Sequence, residues 1–141
     1  MDLHEVAEAR LRDAGQRYTD SRRALVERLR GAGPLSIPEL LAGGERVPQS
    51  SAYRNLTVLE QAGVVHRVQG AGDFARFELA EDLTEHHHHL ICSSCGAVED
   101  FTAPAGLERS LVKASTAIEA ETGFTLQHHR LDLIGTCASC S

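Results

Sequence analysis

The apolar residues of the first half of the chain recur at the spacing of α-helices. Three short amphipathic segments come first, and the second and third have clear start signals. Thr19 can act as an N-cap, and Ser36 and Glu39 stand three residues apart as in a capping box. Helices are therefore predicted over residues 3–14, from Thr19 to about Gly31, and from Ser36 to Gly43-Gly44.

A fourth helix is predicted from near Pro48 through Gln61, where Gly63 stops it. Ala52, Leu56 and Leu59 recur at i, i+4 and i+7 and form its apolar face. The opposite side is polar near the N-terminus of the helix. The polar residues there are Gln49, Ser51, Tyr53, Arg54 and Thr57.

Two strand-like runs follow, over residues 64–68 and 74–79, joined by a glycine-rich turn at residues 70–73. Helices followed by such a hairpin are typical of a winged helix-turn-helix, whose last helix enters the major groove of double-stranded DNA. The predicted base and phosphate contacts are Gln49, Ser51, Tyr53 and Arg54 on that helix and, toward the flanking DNA backbone, Arg17, Tyr18, Arg22 and Arg23.

The net charge of −6 is distributed unevenly along the chain. Residues 1–70 carry ten arginines against nine acidic residues, and residues 71–141 carry four basic against eleven acidic residues. The arginines suit a polyanionic partner and the acidic half suits cations. The chain has no apolar run of membrane-spanning length and no secretory signal, so no membrane partner and a cytoplasmic location are expected.

All four cysteines occur in two Cys-x-x-Cys pairs, Cys92/Cys95 and Cys137/Cys140. Their sulfurs can close one tetrahedral thiolate site, at which Zn²⁺ is the expected occupant. A redox dithiol or a disulfide is the alternative for each pair, and the reducing cytosol disfavours it. Because the pairs are far apart in sequence, the metal would hold a whole subdomain together, and its loss should damage folding or assembly.

Four consecutive histidines, His86 to His89, precede the first cysteine pair. Successive side chains of an extended strand point to opposite faces, so His87 and His89 share one face and His86 and His88 the other. Neighbours on one face lie about 6.5 to 7 Å apart, which lets two imidazoles converge on one ion. One strand could therefore serve two separate metal sites.

Four segments carry these features in a fixed order: QSSAYRNL at 49–56, FEL at 77–79, HHHHLICSSCG at 86–96 and GTCASC at 135–140. Together they resemble the ferric uptake regulator family, and its zinc uptake branch most. The resemblance implies an α+β fold with an N-terminal winged helix-turn-helix domain over residues 1–80. A small α/β dimerisation domain with the four-cysteine zinc site follows over residues 81–141. A homodimer that binds a palindromic DNA operator is also implied.

The resemblance further implies a second, regulatory divalent metal, expected to be Zn²⁺, at the hinge between the domains. Its implied ligands are Glu78, His87 and His89, with His66 from the DNA-binding domain. Pro34 replaces a histidine that iron-type members carry before the third helix, which makes His66 the expected fourth ligand. The alternative carboxylates are Glu81, Asp82 and Asp100.

An additional metal site is implied in the dimerisation domain. Its ligands are expected to be His86, His88, Glu108 and His129. Glu108 lies in a helix predicted over about residues 104–122. Strand alternation also supports His129, because it shares a face with Leu133, whereas His128 points the other way and should be exposed.

These features predict a metal-dependent transcriptional repressor that senses zinc and controls metal-uptake genes, without a small-molecule substrate. A sibling sensor of iron, nickel, manganese or peroxide is the alternative, because imidazole and carboxylate ligands suit several metals. A zinc storage or chaperone protein would explain the ligands but not the winged helix. No enzyme is expected, because the chain lacks His-Glu-x-x-His and the deaminase signature.

Overall fold

The computed structural model describes residues 2–43, 49–69 and 75–141. All four helices predicted for the N-terminal region are present among these residues, and their order is that of a winged helix. The elements are α1 (Leu3–Asp13), α2 (Asp20–Leu29), β1 (Leu35–Ser36), α3 (Ile37–Leu41), α4 (Gln49–Gln61), β2 (Val65–Gln69) and β3 (Ala75–Leu79). The predicted helix start at Pro48 and the predicted turn at residues 70–73 lie outside the described residues.

The predicted start signals of α2 and α3 make their hydrogen bonds. The hydroxyl of Thr19 accepts a hydrogen bond from the amide of Arg22 at 3.3 Å. The hydroxyl of Ser36 accepts one from the amide of Glu39 at 3.3 Å, and the Glu39 carboxylate accepts one from the Ser36 amide at 3.2 Å. Caps of this kind stabilise a helix by about 1 kcal/mol each, and they fix where both helices begin.

The helices pack on a three-stranded antiparallel sheet with the strand order β1-β3-β2. The predicted apolar face of α4 is buried in this core, which leaves the polar face of the helix outside. The largest fully buried apolar side chains of the core are Leu11, Leu25, Val26, Leu29, Leu40, Leu56, Leu59, Val64 and Phe77.

The C-terminal region is built around a second sheet. A 3-10 turn (Glu81–Leu83) leads to β4 (His88–Cys92), β5 (Val98–Phe101), α5 (Ala105–Thr122) and β6 (Asp132–Gly135). The strand order is β5-β4-β6, with β5 antiparallel and β6 parallel to the central strand. The whole chain therefore has an α+β fold. None of the described helices combines the length and apolarity that a membrane crossing requires.

The last strand, β6, begins later in the chain than the alternation of strand faces predicted. His129 was expected to share a strand face with Leu133, but β6 starts at Asp132. Pairing with β4 begins only there, where Asp132 stands opposite His89. His129 therefore precedes the strand and reaches its neighbours from the irregular segment before it.

Both α5 and the second sheet leave apolar side chains uncovered. No residue of α5 is buried, and Leu107, Val112 and Ile118 are 40%, 59% and 48% exposed. On β6, Leu133 is 48% and Ile134 is 70% exposed. Exposed apolar surface shared by a helix and a sheet is typical of an area that contacts another molecule.

Two arginines link the N-terminal region to the C-terminal region. Arg10 of α1 places Nη2 2.5 Å from Asp82 Oδ2 in the 3-10 turn. Arg76 of β3 donates from Nε to the carbonyl of Gly96 at 3.2 Å and also pairs with the Glu39 carboxylate. The domain boundary after residue 80 stays a prediction. Both contacts join residues that lie on opposite sides of it.

Candidate metal centres and nucleic-acid interface

The two cysteine pairs meet at one end of the second sheet. Cys92 ends β4 and stands opposite Gly135 of the parallel strand β6, so the chain after β6 passes directly beside it. The four sulfur atoms lie within 4.8 Å of one another, and all four cysteines are free thiols. This grouping of Cys92, Cys95, Cys137 and Cys140 fits the tetrahedral thiolate set that holds structural Zn²⁺.

Backbone amides stabilise the thiolate form of the most buried of these cysteines. The amides of Cys137 and Cys95 donate to Cys92 Sγ at 3.3 and 3.4 Å. These hydrogen bonds lower the pKa of Cys92 to about 6. Hydrogen bonds with the thiols of Cys137 and Cys95 raise the pKa of Cys140 to about 12. The backbone therefore favours the thiolate form of Cys92, which is the form that binds a metal.

A second group joins the N-terminal sheet to the C-terminal sheet. Glu78 comes from β3, while His87, His89 and Asp100 come from or directly precede β4 and β5. His87 Nε2 lies 2.9 Å from Glu78 Oε2, and His89 Nε2 lies 3.0 Å from Glu78 Oε1. Asp100 Oδ1 lies 3.5 Å from His89 Nε2 and 3.8 Å from His87 Nε2. Two imidazoles and two carboxylates thus converge on one point.

Burial and mutual charge set the protonation of this group. Burial raises the pKa of Glu78, but hydrogen bonds from His89 and His87 outweigh it and hold that pKa below its ordinary value. The hydrogen bond to Glu78 raises the pKa of His89. Burial raises the pKa of Asp100. Because Glu78 favours protonated imidazoles here, metal binding by these histidines would compete with protons.

His66 does not belong to this group, contrary to the ligand set implied by the family resemblance. It stands opposite Glu78 in the β2–β3 pairing, but its side chain is exposed. Asp100 completes the group instead, because β5 pairs with β4 and places Asp100 opposite His89. His66 lines a cleft of about 460 Å³ that also reaches His87 and His89.

The other alternative carboxylates are engaged elsewhere. Asp82 pairs with Arg10, whose hydrogen bond lowers the pKa of Asp82. Glu81 contacts Nδ1 of His86. Neither replaces Glu78 in the group that contains His87. Glu78 and the alternative Asp100 are therefore the two predicted carboxylates that lie beside His87 and His89.

The third group contains the residues predicted for the additional site: His86, His88, Glu108 and His129. Glu108 of α5 is its centre, with contacts to all three rings. Its Oε2 lies 2.9 Å from His129 Nε2 and 3.4 Å from His86 Nε2, and its Oε1 contacts His88 Nε2. His128 is exposed, as predicted. The alternate histidines of the run thus serve two different groups, as strand geometry predicted.

Asp132 is a residue that the sequence did not single out. Its Oδ1 lies 3.6 Å from Nδ1 of His89, on the ring edge opposite Glu78. The contact depends on the parallel pairing of β4 with β6, and no local pattern signals which residues such a pairing brings together. Sequence analysis therefore had no signal for it.

The polar face of α4 is open to solvent. Gln49, Tyr53 and Arg54 are exposed, and Tyr53 exposes 57% of its surface. The Arg67 guanidinium of β2 lies 5.8 Å from the centre of the Tyr53 ring. Ser51 is partly buried. This face could meet DNA bases and phosphates as predicted.

Two of the predicted DNA contacts point into the protein instead. Nε of Arg22 donates to Asn55 Oδ1 at 3.0 Å, and its Nη1 donates to the carbonyl of Arg17 at 2.7 Å. The hydroxyl of Tyr18 lies 2.6 Å from Nδ1 of His4, and burial raises the pKa of Tyr18 to about 12. Both side chains therefore hold the α1–α2 loop in place. The side chains of Tyr18 and Arg22 are long enough to reach these partners although the two residues are only partly buried.

The side chains of Arg17 and Arg23, by contrast, are exposed as predicted. Arg23 lies 6.0 Å from the centre of the Tyr18 ring. The two residues flank the N-terminal half of α2 and can approach a phosphate backbone. These two arginines and the polar face of α4 are thus the predicted DNA contacts that are open to solvent, and their role stays a prediction.

Comparison with known proteins gives one family. The model of the ferric uptake regulator family matches residues 13–134. The chain is 34% identical to the peroxide operon regulator of Bacillus subtilis (strain 168), over 100% of this chain and 97% of that protein. It also matches the crystal structure of the Vibrio cholerae ferric uptake regulator, with a TM-score of 0.70, 32% identity and 90% and 96% of the two chains covered.

A solved structure of a zinc-bound manganese uptake regulator matches over a similar extent. Its TM-score is 0.65 and its identity 29%, with 97% of this chain and 99% of that chain covered. The names of these three relatives refer to peroxide, to ferric uptake and to manganese uptake, so they do not single out one metal for this chain.

Proposed function

Because the chain belongs to the ferric uptake regulator family of metal-responsive, DNA-binding transcriptional regulators, we propose that it is a repressor that senses zinc and controls metal-uptake genes. The main support for this proposal is one group of side chains that joins the two regions. Glu78 comes from the winged-helix region, and His87, His89 and Asp100 come from the C-terminal region. The cytoplasm is the expected location, because the expected partner is DNA. The proposed regulatory site would act by linking the winged-helix region to the C-terminal region.

The donor sets support different roles for the three groups. Four thiolates suit a structural Zn²⁺ held permanently by Cys92, Cys95, Cys137 and Cys140. Two imidazoles with two carboxylates suit an exchangeable divalent cation at the Glu78 group, which is the regulatory site of this proposal. Three imidazoles with Glu108 form the most nitrogen-rich group, and such a set favours Zn²⁺ over Mn²⁺.

The regulatory mechanism follows from where the ligands come from. Glu78 would hold the cation from β3, while His87, His89 and Asp100 would hold it from the C-terminal region, so that a bound divalent cation would add metal–ligand bonds between the two regions. Glu78 then holds the winged helix at a fixed angle to His89 and its neighbours. In a dimer, two recognition helices must lie about 34 to 36 Å apart to enter successive major grooves. Fixing the angle selects the DNA-binding arrangement, and DNA tightens metal binding by the same factor.

The open apolar surface supports the dimer that this mechanism needs. Leu107, Val112 and Ile118 of α5 and the exposed side chains of β6 would be covered by the same surface of a second copy. A two-fold symmetric dimer presents two copies of α4 related by the same axis. Its operator is therefore expected to be palindromic, with two half-sites.

The DNA contacts proposed for each subunit are those that remain open to solvent. Arg54, Gln49 and Tyr53 of α4 would reach base edges and phosphates, and Arg17 and Arg23 would contact the flanking backbone. Tyr18 and Arg22 would act on DNA only by supporting the position of α4.

A peroxide sensor or a manganese sensor is the second candidate. The chain is 34% identical over its whole length to a peroxide operon regulator. Two imidazoles with two carboxylates are also a suitable set for Fe²⁺ or Mn²⁺. Zinc sensing is favoured by the run of four histidines, which supplies imidazoles to both exchangeable groups.

The test is DNA binding under buffered metal concentrations. The dimer, with its structural metal retained, is titrated onto the promoter region beside its own gene with Zn²⁺, Fe²⁺, Mn²⁺ or Ni²⁺ at defined free concentrations. The proposal expects a sequence-specific complex with Zn²⁺ at the lowest free concentration. A complex formed only with another ion would overturn zinc sensing, and a complex equally strong without any ion would overturn metal gating.

A further inference from the structure

The geometry points to Asp132 as a positioning residue of the regulatory site: its Oδ1 stands 3.6 Å from Nδ1 of His89, where it can accept the Nδ1 proton when Nε2 of that ring binds a metal ion. The inference rests on the proposed function, because it assigns a role in the same metal group. Asp132 is not itself a ligand, since it lies on the far side of the imidazole.

The backbone fixes these two residues side by side. β4 and β6 pair in parallel, with His89 opposite Asp132 as the first pair of the register. The amide of His89 donates to the carbonyl of Leu131 at 3.3 Å, one residue before Asp132. The side chains therefore emerge at the same level of the sheet, where Nδ1 of His89 lies 3.6 Å from Asp132 Oδ1.

The Asp132 oxygen that faces the ring has no hydrogen-bond partner. Oδ1 is buried, and no donor among the described residues bonds to it. The nearby cation Arg130 approaches the other oxygen, Oδ2, at 3.9 Å. A buried carboxylate oxygen without a donor is costly, and the Nδ1 proton of His89 can relieve that cost after a small movement.

The two ring nitrogens of His89 face different partners. His89 is buried, and its Nε2 faces Glu78 at 3.0 Å and Asp100 at 3.5 Å. An imidazole that binds a metal through Nε2 must carry its proton on Nδ1, and histidine ligands usually donate that proton to a carboxylate or a carbonyl. Asp132 Oδ1 is the acceptor that stands in the corresponding place for His89.

The neighbouring histidines have acceptors at the same ring nitrogen. Nδ1 of His87 lies 2.9 Å from the backbone carbonyl of Glu85, and Nδ1 of His86 contacts the Glu81 carboxylate. For His87 the acceptor is main chain and cannot be removed by substitution. For His89 the acceptor is a side chain, so its contribution can be measured.

The first measurement is the Nδ1–H signal of His89, read from ¹H and ¹⁵N chemical shifts of the Zn²⁺-loaded dimer, because without metal Nε2 of His89 donates its own proton to Glu78. The wild type is expected to show a downfield, slowly exchanging Nδ1 proton. In Asp132→Ala this signal should move upfield or be lost to exchange with water, and in Asp132→Asn, which retains an acceptor oxygen, it should change less. Glu99→Ala is the matched control, because Glu99 is an exposed acidic residue of the same sheet.

The second measurement is metal affinity at the Glu78 group, by competition between the dimer and a chromophoric chelator for Zn²⁺, with Co²⁺ absorption spectra as a report on ligand geometry. Removing the acceptor behind a histidine ligand weakens metal binding by about 10- to 100-fold. Asp132→Ala should show that loss while the four-cysteine metal is retained, and Glu99→Ala should bind like the wild type.

The outcomes separate this inference from the proposed function. If Asp132→Ala keeps both the His89 Nδ1–H signal and the metal affinity of the wild type while His89→Ala loses Zn²⁺, the positioning role is wrong while metal sensing stands. If the wild type and His89→Ala take up the same number of Zn²⁺ ions, the proposed site and the role of Asp132 behind it are both wrong. Should Asp132→Ala fold poorly, Asp132→Asn decides by the same two readouts.

Discussion

Glu78 and His89 face each other from two different sheets, with Oε1 of the carboxylate 3.0 Å from Nε2 of the imidazole. Both side chains are buried, at 6% exposure each. Glu78 belongs to the strand that ends the winged helix, and His89 belongs to the central strand of the C-terminal sheet. Any ion held by both would therefore connect the DNA-binding surface to the surface expected to form the dimer.

Tyr18→Phe is expected to lower stability rather than to remove a DNA contact. The substitution deletes the hydroxyl that lies 2.6 Å from Nδ1 of His4, a side chain that is buried. Leaving that nitrogen without a partner should cost about 1 to 2 kcal/mol of unfolding free energy, measured by urea denaturation. Tyr53→Phe is the control: the Tyr53 hydroxyl also bonds Arg67, but at an exposed position of α4, so its loss should cost less stability than loss of the Tyr18 hydroxyl. Equal stability of Tyr18→Phe and the wild type would show that the buried bond is unimportant.

Tyr18 should also make the stability of the protein depend on pH in the alkaline range. Burial raises the pKa of Tyr18 to about 12 in the folded protein, against 10.0 as the ordinary value. The neutral hydroxyl therefore stabilises the fold fully below pH 10, and this contribution is lost as the pH rises toward 12. The difference in unfolding free energy between the wild type and Tyr18→Phe should shrink over that range. A constant difference would contradict the burial of this hydroxyl.

Arg54→Ala and Arg22→Ala should weaken DNA binding in different ways. Arg54 is exposed on α4, and loss of one phosphate contact reduces the slope of log affinity against log salt by about 1. Arg22 instead bonds Asn55 on the inner side of α4 and the Arg17 carbonyl. Its removal should weaken DNA binding and lower stability with little change in the salt slope.

Titrations of an operator fragment at several salt concentrations compare these variants. Arg12→Ala serves as the control for Arg22→Ala, because Arg12 is an exposed arginine of α1 and is not among the proposed DNA contacts. If Arg22→Ala lowered the salt slope as much as Arg54→Ala does, Arg22 would be a phosphate contact after all.

The alternation of the four histidines could be predicted because strand geometry is local. The sequence placed His87 and His89 apart from His86 and His88, and the structure puts the pairs into two groups. The grouping of the cysteines was predictable for a different reason: the chain has four, and all occur in pairs of one spacing. Helix starts such as the Ser36 cap also depend on neighbouring residues alone.

The remaining parts of the sites depend on contacts between distant residues. Asp100 joins His89 only because β5 pairs with β4 in one register, and Asp132 does so only because β6 pairs with β4 in parallel. His66 was predicted for this group but lies outside it, because its side chain is exposed although it stands opposite Glu78. Position on a helix face also did not reveal that the guanidinium of Arg22 folds back onto Asn55.

Cys95→Ser is expected to remove the structural metal and with it the dimer. The four sulfurs hold the end of β6 beside Cys92 of β4, and β6 carries part of the exposed apolar surface. Losing one thiolate opens the set and should lower both the metal content and the midpoint of thermal unfolding. Elemental analysis and size-exclusion chromatography with light scattering report the two effects. Ser94→Ala is the neighbouring control, and an unchanged dimer in Cys95→Ser would contradict a structural role.

The most direct test of metal gating is the gain in operator affinity on adding the regulatory metal, compared between the wild type, Glu78→Gln and the control Glu99→Gln. Coupling between two sites is commonly about 5- to 150-fold, so a gain in this range is predicted for the wild type and for Glu99→Gln. Glu78→Gln should show almost no gain while keeping its four-cysteine metal. A gain in Glu78→Gln equal to that of the wild type would contradict the account that the carboxylate of β3 transmits metal binding to the DNA-binding surface.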